Sequence, residues 1–512
     1  MFLRQEYTFW KISSDLVISH GFEILHMSPN EDEIWLEKEL NWKTHVVRLK
    51  LGQWNWKNQL KFDLNRTYQQ VKQNRALFSG GKAVLHTLYI SEYPPVDDWQ
   101  DVTEELVMNK GSLNIHLYYL DDANKRSELK KLYQTFGHMP PGLIDETKAE
   151  EMESVIPYLR QQTLGSDQKR KKENLSVFDY GRPFMTYLLL VVNIAFFAFI
   201  EWKADSTSLP SLIEYGAKYN PAIISGEWWR IITSMFIHIG FLHLFMNMLA
   251  LYYLGTAVER IYGTVRFTLI YFLAGIFGGV ASFMMNPQIA AGASGAIFGL
   301  FGALLFFGVK HKRLFFRTMG TNVVFIIALN LVFGFVVPQV DNSAHVGGLI
   351  GGFLASALIQ LPNKPSGRLR RVAFLIYSLA AVGMVWLGIN QYDRPEHSVV
   401  DVQYSQELIK ERQYTKVIQT TTDALDNPGE YQAELLFNRS YAYTQTNQLE
   451  KAKEDLEKTV DVKPDMAEAH FNLALIYLKE GKPSQAKEHA RTAAELKPKK
   501  EEFQNLLKSL DQ

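Results

Sequence analysis

The chain has 512 residues, of which 47% are apolar, and its 54 Lys and Arg balance its 54 Asp and Glu. It contains no cysteine, which excludes disulfide frameworks, thiol catalysis and cysteine-ligated zinc. The length permits several domains, so the informative feature is how charged and apolar residues are distributed along the chain.

The N-terminal region, residues 1–170, predicts a soluble domain of the α+β or α/β class. Alternating residues rich in Val, Ile and aromatics predict strands, and longer periodic stretches predict helices. The strands are Phe22–Met27, Glu33–Lys38, Thr44–Leu51, Lys82–Ile90 and Ser112–Leu120, and the helices are Asn58–Leu77 and Asp122–Phe136. The first residues lack the basic and apolar stretches of a secretory signal, so we expect this domain in the cytosol.

The histidines of this region have no metal-ligand spacing, which favours ordinary strand or surface residues. They are His20, His26, His45, His86, His116 and His138. One hypothesis stays open: the domain senses a cytosolic ligand, such as a metal ion, and so regulates the rest of the chain.

Seven apolar stretches between residues 176 and 390 predict a helical membrane bundle. A spanning helix needs roughly 20 residues, and helices shielded inside a bundle can be shorter. The predicted spans are Phe184–Ile200, Ile237–Val258, Phe267–Met285, Ala293–Val309, Val323–Val337, Ala344–Leu361 and Val372–Ile389.

Basic residues flank alternate ends of these spans, and the positive-inside rule places those ends in the cytoplasm. An odd number of spans then puts the N-terminus in the cytoplasm and the C-terminus outside. The basic groups are Lys169–Lys172, Arg260 with Arg266, Lys310–Arg317 and Lys364–Arg371.

Polar residues occur at the predicted outer ends of spans two, four and six. These are His243, Ser294 and His345, which the topology places at similar depth near the outer surface. A hydroxyl nucleophile and an imidazole base at membrane depth are the parts of an intramembrane serine hydrolase.

Small residues follow both Ser294 and His345 at four-residue spacing. Gly295 and Gly299 follow the serine, and Gly348 and Gly352 follow the histidine. Such spacing lets two helix backbones approach closely, as a short Ser–His hydrogen bond requires. The alternative is that these glycines only serve packing and that the serine is a satisfied interhelical hydroxyl.

The second span carries His243 and Asn247 on one face of a helix made of Phe, Leu and Met. Donors beside a nucleophile suit an oxyanion hole. The alternative is a His–Asn pair that joins helices. His238, just before them, is interpreted as an interfacial residue.

Competing hydrolase chemistries fail on spacing. No His-Glu-x-x-His motif occurs, so the zinc site of an intramembrane metalloprotease is absent from the sequence. Gly292-Ala293-Ser294-Gly295-Ala296 is not Gly-x-Ser-x-Gly and follows no predicted strand, which excludes an α/β-hydrolase elbow.

The chain from about Ser176 to Asn390 resembles the rhomboid intramembrane serine proteases, whose motifs occur here in order. These are Trp229-Arg230 before the second span, His243-x-x-x-Asn247 on it, Glu259 after it, Gly292-x-Ser294-Gly295 on the fourth and Ala344-His345-x-x-Gly348-x-x-x-Gly352 on the sixth. Where many members carry a stacking Tyr, this chain has Phe298, which keeps the aromatic face and loses the hydroxyl.

The resemblance implies a Ser–His dyad without a required cofactor. Ser294 is expected to attack a peptide carbonyl, and His345 to take its proton and protonate the leaving amine. The Ser294 N–H, His243 and Asn247 are expected to hold the oxyanion. Trp229, Arg230, Glu259, Gly292, Gly295, Phe298, Gly348 and Gly352 are expected to be structural. Asp341, four residues before His345, is interpreted as a helix cap, with a triad member as the alternative.

The resemblance also implies substrates that are membrane proteins with an unstable spanning helix near the cut. The rival interpretation is a rhomboid-like pseudoenzyme that binds membrane proteins as an adaptor. Such relatives lose the serine or the histidine, whereas this chain keeps both, so the sequence favours catalysis and permits an additional adaptor role.

The C-terminal region, residues 401–512, predicts tetratricopeptide repeats. Positions recur every 34 residues, and the stretch Gln406–Pro428 is interpreted as a degenerate first unit. The recurring pairs are Phe437 and Phe471, Tyr443 and Tyr477, Ala452 and Ala486, and Pro464 and Pro498. The alternative is a generic helical bundle. The repeats predict a surface for peptide or protein partners, or for self-assembly, outside the cytoplasm.

The three parts together, residues 1–170, 176–390 and 401–512, resemble the plan of a bacterial rhomboid, which implies a multi-pass protein of a bacterial plasma membrane. The basic run Lys169–Lys172 is interpreted as an anchor at anionic lipid and not as a nucleic-acid site.

Overall fold

The computed structural model describes residues 3–40, 43–73, 83–102, 114–143, 148–337, 340–362, 366–391 and 398–511. The chain divides into two compact units. The first comprises Met1–Phe178 and His311–Met319, and the second comprises Asp179–Lys310 and Gly320–Gln512.

The described part of the first unit contains a five-stranded sheet in the order β1-β2-β3-β4-β5. The first three strands are antiparallel, whereas β3, β4 and β5 are parallel, so the sheet is mixed. The strands are β1 (Glu23–Met27), β2 (Glu33–Leu40), β3 (Lys43–Leu51), β4 (Ala83–Ile90) and β5 (Asn114–Leu120). All five predicted strands are present. Predicted positions 74–77, 82 and 112–113 lie outside the described residues.

In the described part of this unit, four longer helices accompany the sheet: α1 (Leu3–Ser14), α2 (Lys57–Gln73), α3 (Lys125–Thr135) and α4 (Ala149–Ser176). The sequence predicted α2 and α3 and missed α1 and α4. The missed helices contribute Phe9, Ile12 and Ile156 to one core with the sheet residues Leu36 and Leu88. Helix α2 packs elsewhere on the sheet, where Leu64 and Tyr68 contact the side chains of Val46 and Leu85.

The short helix Lys312–Thr318 belongs to this first unit. Its Arg313 pairs with Glu23 at 2.9 Å and with Glu37 at 2.5 Å. Arg317 pairs with the same two carboxylates at 3.2 and 2.9 Å. The Glu37 side chain is fully buried. Two arginines that indicated topology in the sequence therefore also have defined protein partners.

The second unit contains a helix at each of the seven predicted spans. They are α5 (Met185–Lys203), α6 (Gly240–Tyr262), α7 (Thr264–Met285), α8 (Ser294–Lys310), α9 (Gly320–Val336), α10 (Asn342–Ile359) and α11 (Gly367–Gln391). Between α5 and α6 lie the short helices Leu209–Glu214, Asn220–Ile224 and Arg230–Thr233.

Five of these helices, within the described residues, are long and apolar enough to cross a membrane. Helix α9 reaches that standard only when it is counted together with Lys312–Thr318. Helix α8 is apolar but has 17 residues. The structure therefore supports five or six spans by length and composition, and the count of seven stays a prediction.

Within the described residues, the C-terminal part of this unit consists of three helix pairs and one final helix. They are α12 (Ser398–Lys410), α13 (Tyr414–Ala424), α14 (Gln432–Gln445), α15 (Leu449–Val462), α16 (Ala467–Lys479), α17 (Pro483–Leu496) and α18 (Glu501–Leu510). Ala452 and Ala486 are fully buried between helices, as the repeat predicts. The predicted degenerate unit, Gln406–Pro428, covers the end of α12 and all of α13, whereas the helix pair already begins at Ser398.

Helix α12 packs against the connection between α5 and α6. The Tyr219 hydroxyl donates to the Asp401 carboxylate, and the ring of Tyr219 meets that of Tyr404 edge-on with centroids 5.7 Å apart. Ser208 donates to Glu411 at 2.9 Å. Within the second unit, the repeats are therefore in direct contact with the loop that precedes α6.

Candidate active site

Helices α8 and α10 approach so closely that their backbones touch. A Cβ atom added to Gly348 would overlap the carbonyl oxygen of Gly295, and one added to Gly352 would overlap that of Gly299. The small residues predicted from spacing thus lie face to face across one helix pair. Only glycine leaves room for this contact, because any side chain would force the helices apart.

This contact brings together the first turns of two helices. Ser294 is the first residue of α8, and His345 lies in the first turn of α10. A Cβ atom at Gly295 would stand 3.4 Å from the carbonyl oxygen of Ala344, so the neighbours of both residues are in van der Waals contact. The two predicted catalytic side chains are thereby carried on adjacent backbone.

The imidazole of His345 is 8% exposed and is covered by Phe298. The two rings stack with centroids 4.1 Å apart and planes 9° apart. The stacking predicted for Phe298 is present. Among the described residues, His345 Nδ1 has no hydrogen-bond partner.

Gly292 separates Ser294 from His243. Its φ of +132° lies in the region that favours glycine. A Cβ atom there would lie 2.8 Å from His243 Cε1 and 3.8 Å from Ser294 Oγ. His243 therefore stands beside the serine because position 292 has no side chain.

Asn247 is buried one turn after His243 on α6. Its amide nitrogen donates to the carbonyl oxygen of His243 at 2.9 Å. A side-chain amide has two N–H groups, so the second remains for another acceptor. This pairing holds Asn247 on the same face of α6 as His243.

The interpretation of His238 as an interfacial residue is wrong, because this side chain is fully buried. Its ring packs edge-on against His243, with centroids 5.4 Å apart, and its Nε2 accepts from the Ala293 N–H at 3.5 Å. It supports both His243 and the residue before Ser294. The only signal in the sequence was a second histidine five residues before His243.

Trp229 and Arg230 organise the loop before α6. The Arg230 guanidinium lies 4.7 Å from the Trp229 ring centroid. It donates to the carbonyl oxygens of Ile213 at 2.6 Å and Ala217 at 3.2 Å. Arg230 thus closes the loop on itself, which fits the structural role expected for this pair.

Glu259 is fully buried and caps the start of α5. Its carboxylate accepts the backbone N–H groups of Phe184, Met185 and Thr186 at 2.8 to 3.0 Å. The first N–H groups of a helix have no partner within it, and a carboxylate satisfies them well. Glu259 ties the ends of α5 and α6 together, as expected.

Asp341 is the N-cap of α10, because its side chain accepts from the Ala344 N–H at 3.0 Å. The same carboxylate accepts from the hydroxyls of Ser282 and Ser343. These contacts agree with the interpretation as a cap.

The residues described here include no group of three or more His, Asp or Glu side chains that could hold a metal ion. Three of the N-terminal histidines nevertheless lie side by side on β3, β4 and β5. His45 Nδ1 is 2.9 Å from His86 Nε2, and His86 stacks on His116 with centroids 5.2 Å apart. Burial lowers the pKa of His86 to about 2, which favours the neutral form of this ring in the fold.

Two regions of this chain match known protein families. Residues 225–361 match the rhomboid domain family, and residues 410–510 match a tetratricopeptide repeat family. The chain is 34% identical over 478 residues to the rhomboid protease GluP of Bacillus subtilis. The aligned residues cover 93% of this chain and 92% of that protein.

Other relatives match about a third of this chain. The putative rhomboid protease YdcA of Bacillus subtilis is 34% identical over 37% of this chain and 94% of its own length. RHOMBOID-like protein 1 of Arabidopsis thaliana is 40% identical over 35% of this chain and 48% of its own. The near full-length match and the domain match show that this chain belongs to the rhomboid family of intramembrane proteases.

Proposed function

We propose that this protease is a serine endopeptidase that cleaves transmembrane segments of membrane proteins with a Ser294–His345 dyad. The observation that carries the proposal is the backbone contact between α8 and α10, which places the first turns of both helices together. Rhomboid proteases act on membrane proteins and need no cofactor.

In the proposed reaction, Ser294 Oγ attacks a peptide carbonyl of the substrate while an imidazole nitrogen of His345 accepts the hydroxyl proton. The tetrahedral intermediate collapses when His345 returns that proton to the leaving amine. Water then attacks the acyl-enzyme, again with His345 as base, and releases the second product. The unpartnered Nδ1 of His345 favours a dyad over a triad, because a triad acid would bind that nitrogen.

The oxyanion would be held by the backbone N–H of Ser294 and the side chains of His243 and Asn247. Ser294 begins α8, and the first N–H groups of a helix are free of intrahelical partners and carry its positive dipole end. His243 stands next to Gly292, and Asn247 is fixed by its bond to the His243 carbonyl. Loss of one such donor typically costs about 100- to 1,000-fold in rate.

The proposed orientation places the N-terminal domain in the cytoplasm and the dyad near the outer face of a bacterial plasma membrane. The repeats would then lie outside, where α12 contacts the loop before α6. The basic residues at alternate span ends support this orientation. In this arrangement the repeats would bind peptide or protein partners at the outer face of the membrane. The three domains would span residues 1–170, 176–390 and 401–512.

The test is cleavage of a fluorogenic transmembrane substrate by purified protein in liposomes. Wild-type protein should cleave, Ser294→Ala and His345→Ala should not, and both variants should keep the wild-type unfolding temperature. His243→Ala should retain folding and lose about 100-fold in kcat. Cleavage by Ser294→Ala would refute the dyad.

An adaptor role is measured separately, by capture of the same substrate by Ser294→Ala. An enzyme whose repeats take no part in recognition should capture the substrate equally well with the repeats present and with the repeats removed after residue 397. Retention of the substrate by the full-length Ser294→Ala protein and not by the truncated one would assign part of the recognition to the repeats.

A further inference from the structure

A buried lysine lies in the connection between α5 and α6. Lys218 is 1% exposed, and its Nζ donates to the backbone carbonyl of Asn286 at 2.6 Å. Burying an ammonium group costs several kcal/mol unless other groups compensate it. Burial lowers the pKa of Lys218 to about 8, and the nearby Asp341 opposes that shift. We therefore looked for what the buried Lys218 ammonium group holds in place.

Lys218 is joined to the segment that leads to Ser294. Its N–H donates to the carbonyl of Ala290 at 2.9 Å, and the Ala290 N–H donates back at 3.1 Å. Two residues later, the Gly292 N–H donates to the carbonyl of Ser234 at 2.9 Å. The backbone immediately before Ser294 is therefore fixed by the loop that contains Lys218.

Asp341 holds the other half of the proposed dyad. Its carboxylate caps α10, and its backbone oxygen accepts the N–H of His345 at 3.2 Å. The carboxylate is anchored to the end of α7 by the hydroxyl of Ser282. A shift of this carboxylate would move the first turn of α10, which carries His345.

Asn286 connects the two charges. Its backbone carbonyl receives the Lys218 ammonium, and its side chain helps to lower the pKa of the Asp341 carboxyl. The two charged groups act on each other electrostatically without a direct ion pair within 4 Å in the described part of the chain. Both segments that carry the dyad thus meet at Ser282 and Asn286 near the end of α7.

We propose that Lys218 and Asp341 form a positioning pair that fixes the Ser294 segment and the first turn of the His345 helix at one separation. This inference rests on the proposed dyad. Neither group touches substrate; each acts through the backbone that it holds. The pair determines how often the hydroxyl and the imidazole are within reaction distance, so its loss lowers turnover more than substrate binding.

The test separates charge from capping. Asp341→Asn keeps an oxygen that caps the helix, because Asn and Asp are equally good N-caps, and it removes the charge. Lys218→Met removes the opposite charge and leaves Asp341 buried without compensation. The double variant removes both. Lys203→Met, at an exposed lysine of the same unit, is the matched control.

Each variant is assayed in liposomes for kcat and KM on a transmembrane substrate and for the rate at which a fluorophosphonate labels the serine. We expect Asp341→Asn to lower kcat and labelling about tenfold with KM within twofold. Lys218→Met should lower kcat and the labelling rate further. The double variant should have a higher kcat and a higher labelling rate than Lys218→Met alone. Lys203→Met should match wild type.

Wild-type kcat and labelling in folded Asp341→Asn would overturn the pair, and so would a double variant in which the two losses simply multiply. If Lys218→Met fails to fold, Asp341→Asn decides alone. Ser294→Ala, measured alongside, keeps the two proposals apart. Cleavage by Ser294→Ala refutes the dyad, whereas an inactive Ser294→Ala with fully active pair variants refutes only the positioning role.

Discussion

Phe298 lies flat against the imidazole of His345, with ring centroids 4.1 Å apart and planes 9° apart. The two residues come from helices whose backbones touch, so the stack is held from both sides. It restricts the imidazole to one plane and covers the face that would otherwise meet other side chains or lipid.

We predict that Phe298→Ala lowers kcat about tenfold, because an aromatic stack contributes about 0.5 to 1.5 kcal/mol beyond area burial. Phe298→Tyr keeps the aromatic face and should stay within about threefold of wild type by the same measure. Cleavage kinetics in liposomes check both. Equal losses of kcat in the two variants would show that the added hydroxyl disturbs the site. An unchanged kcat in Phe298→Ala would show that the stack does not contribute to catalysis.

Gly348→Ala should separate α8 from α10, because the new methyl group overlaps the carbonyl oxygen of Gly295. Overpacking of this kind costs about 1 to 3 kcal/mol of folding free energy. Serine labelling by a fluorophosphonate should fall at least tenfold, and the unfolding temperature should drop. Gly383→Ala on α11 is the control, since a Cβ atom there meets nothing within 4 Å. Unchanged labelling in Gly348→Ala would contradict the close contact.

The contact between α12 and the loop before α6 should depend on pH through Asp401. Burial raises the pKa of this carboxyl from 3.8 to about 6, so the docked form holds its proton more tightly than the undocked form. The docking free energy is therefore full below about pH 4 and is lost as pH rises towards 6, by about 1 to 3 kcal/mol.

Amide exchange of residues 398–410 between pH 4.5 and 7.5, corrected for intrinsic rates, measures this dependence. Wild-type protection should fall across the range and then level off above about pH 6. Asp401→Asn cannot titrate and should give flat protection. If protection in Asp401→Asn changes with pH as steeply as in wild type, another group causes the pH dependence.

The histidine ladder of the N-terminal sheet predicts the opposite pH dependence. Burial lowers the pKa of His86 to about 2 from 6.5, so the fold contains the neutral ring and the unfolded chain binds the proton more readily. Stability is full above pH 6.5 and falls below it by up to about 1.4 kcal/mol per pH unit. His45 and His116, whose pKa values burial also lowers, add to the slope.

Amide exchange in β3, β4 and β5 of the full-length protein between pH 7.5 and 5.5 reports this loss. His86→Phe should reduce the slope, while the exposed His26→Phe on β1 should leave it as in wild type. If both variants keep the wild-type slope, the ladder is not the titrating group.

The amino-acid sequence by itself determined the strands, the apolar helices and the motif. Strands and spans follow from alternation and apolar length, which are properties of neighbouring residues. Ser294, His345 and His243 became a candidate site because the predicted topology places the starts of alternate spans at the same membrane face. Gly348 and Gly352 indicated close helix contact because small residues four apart share a helix face.

The tertiary structure alone decided which polar residues are buried and what they hold. Lys218 looks like a solvent-exposed loop lysine, and its partner Asn286 lies 68 residues further along the chain. His238 is buried by His243 and Ala293, which no periodic pattern reveals. The parallel pairing of β3, β4 and β5 and the packing of α1 with α4 also depend on long-range contacts. Local patterns report each residue's neighbours in the chain, whereas burial and charge compensation depend on segments that meet only after folding.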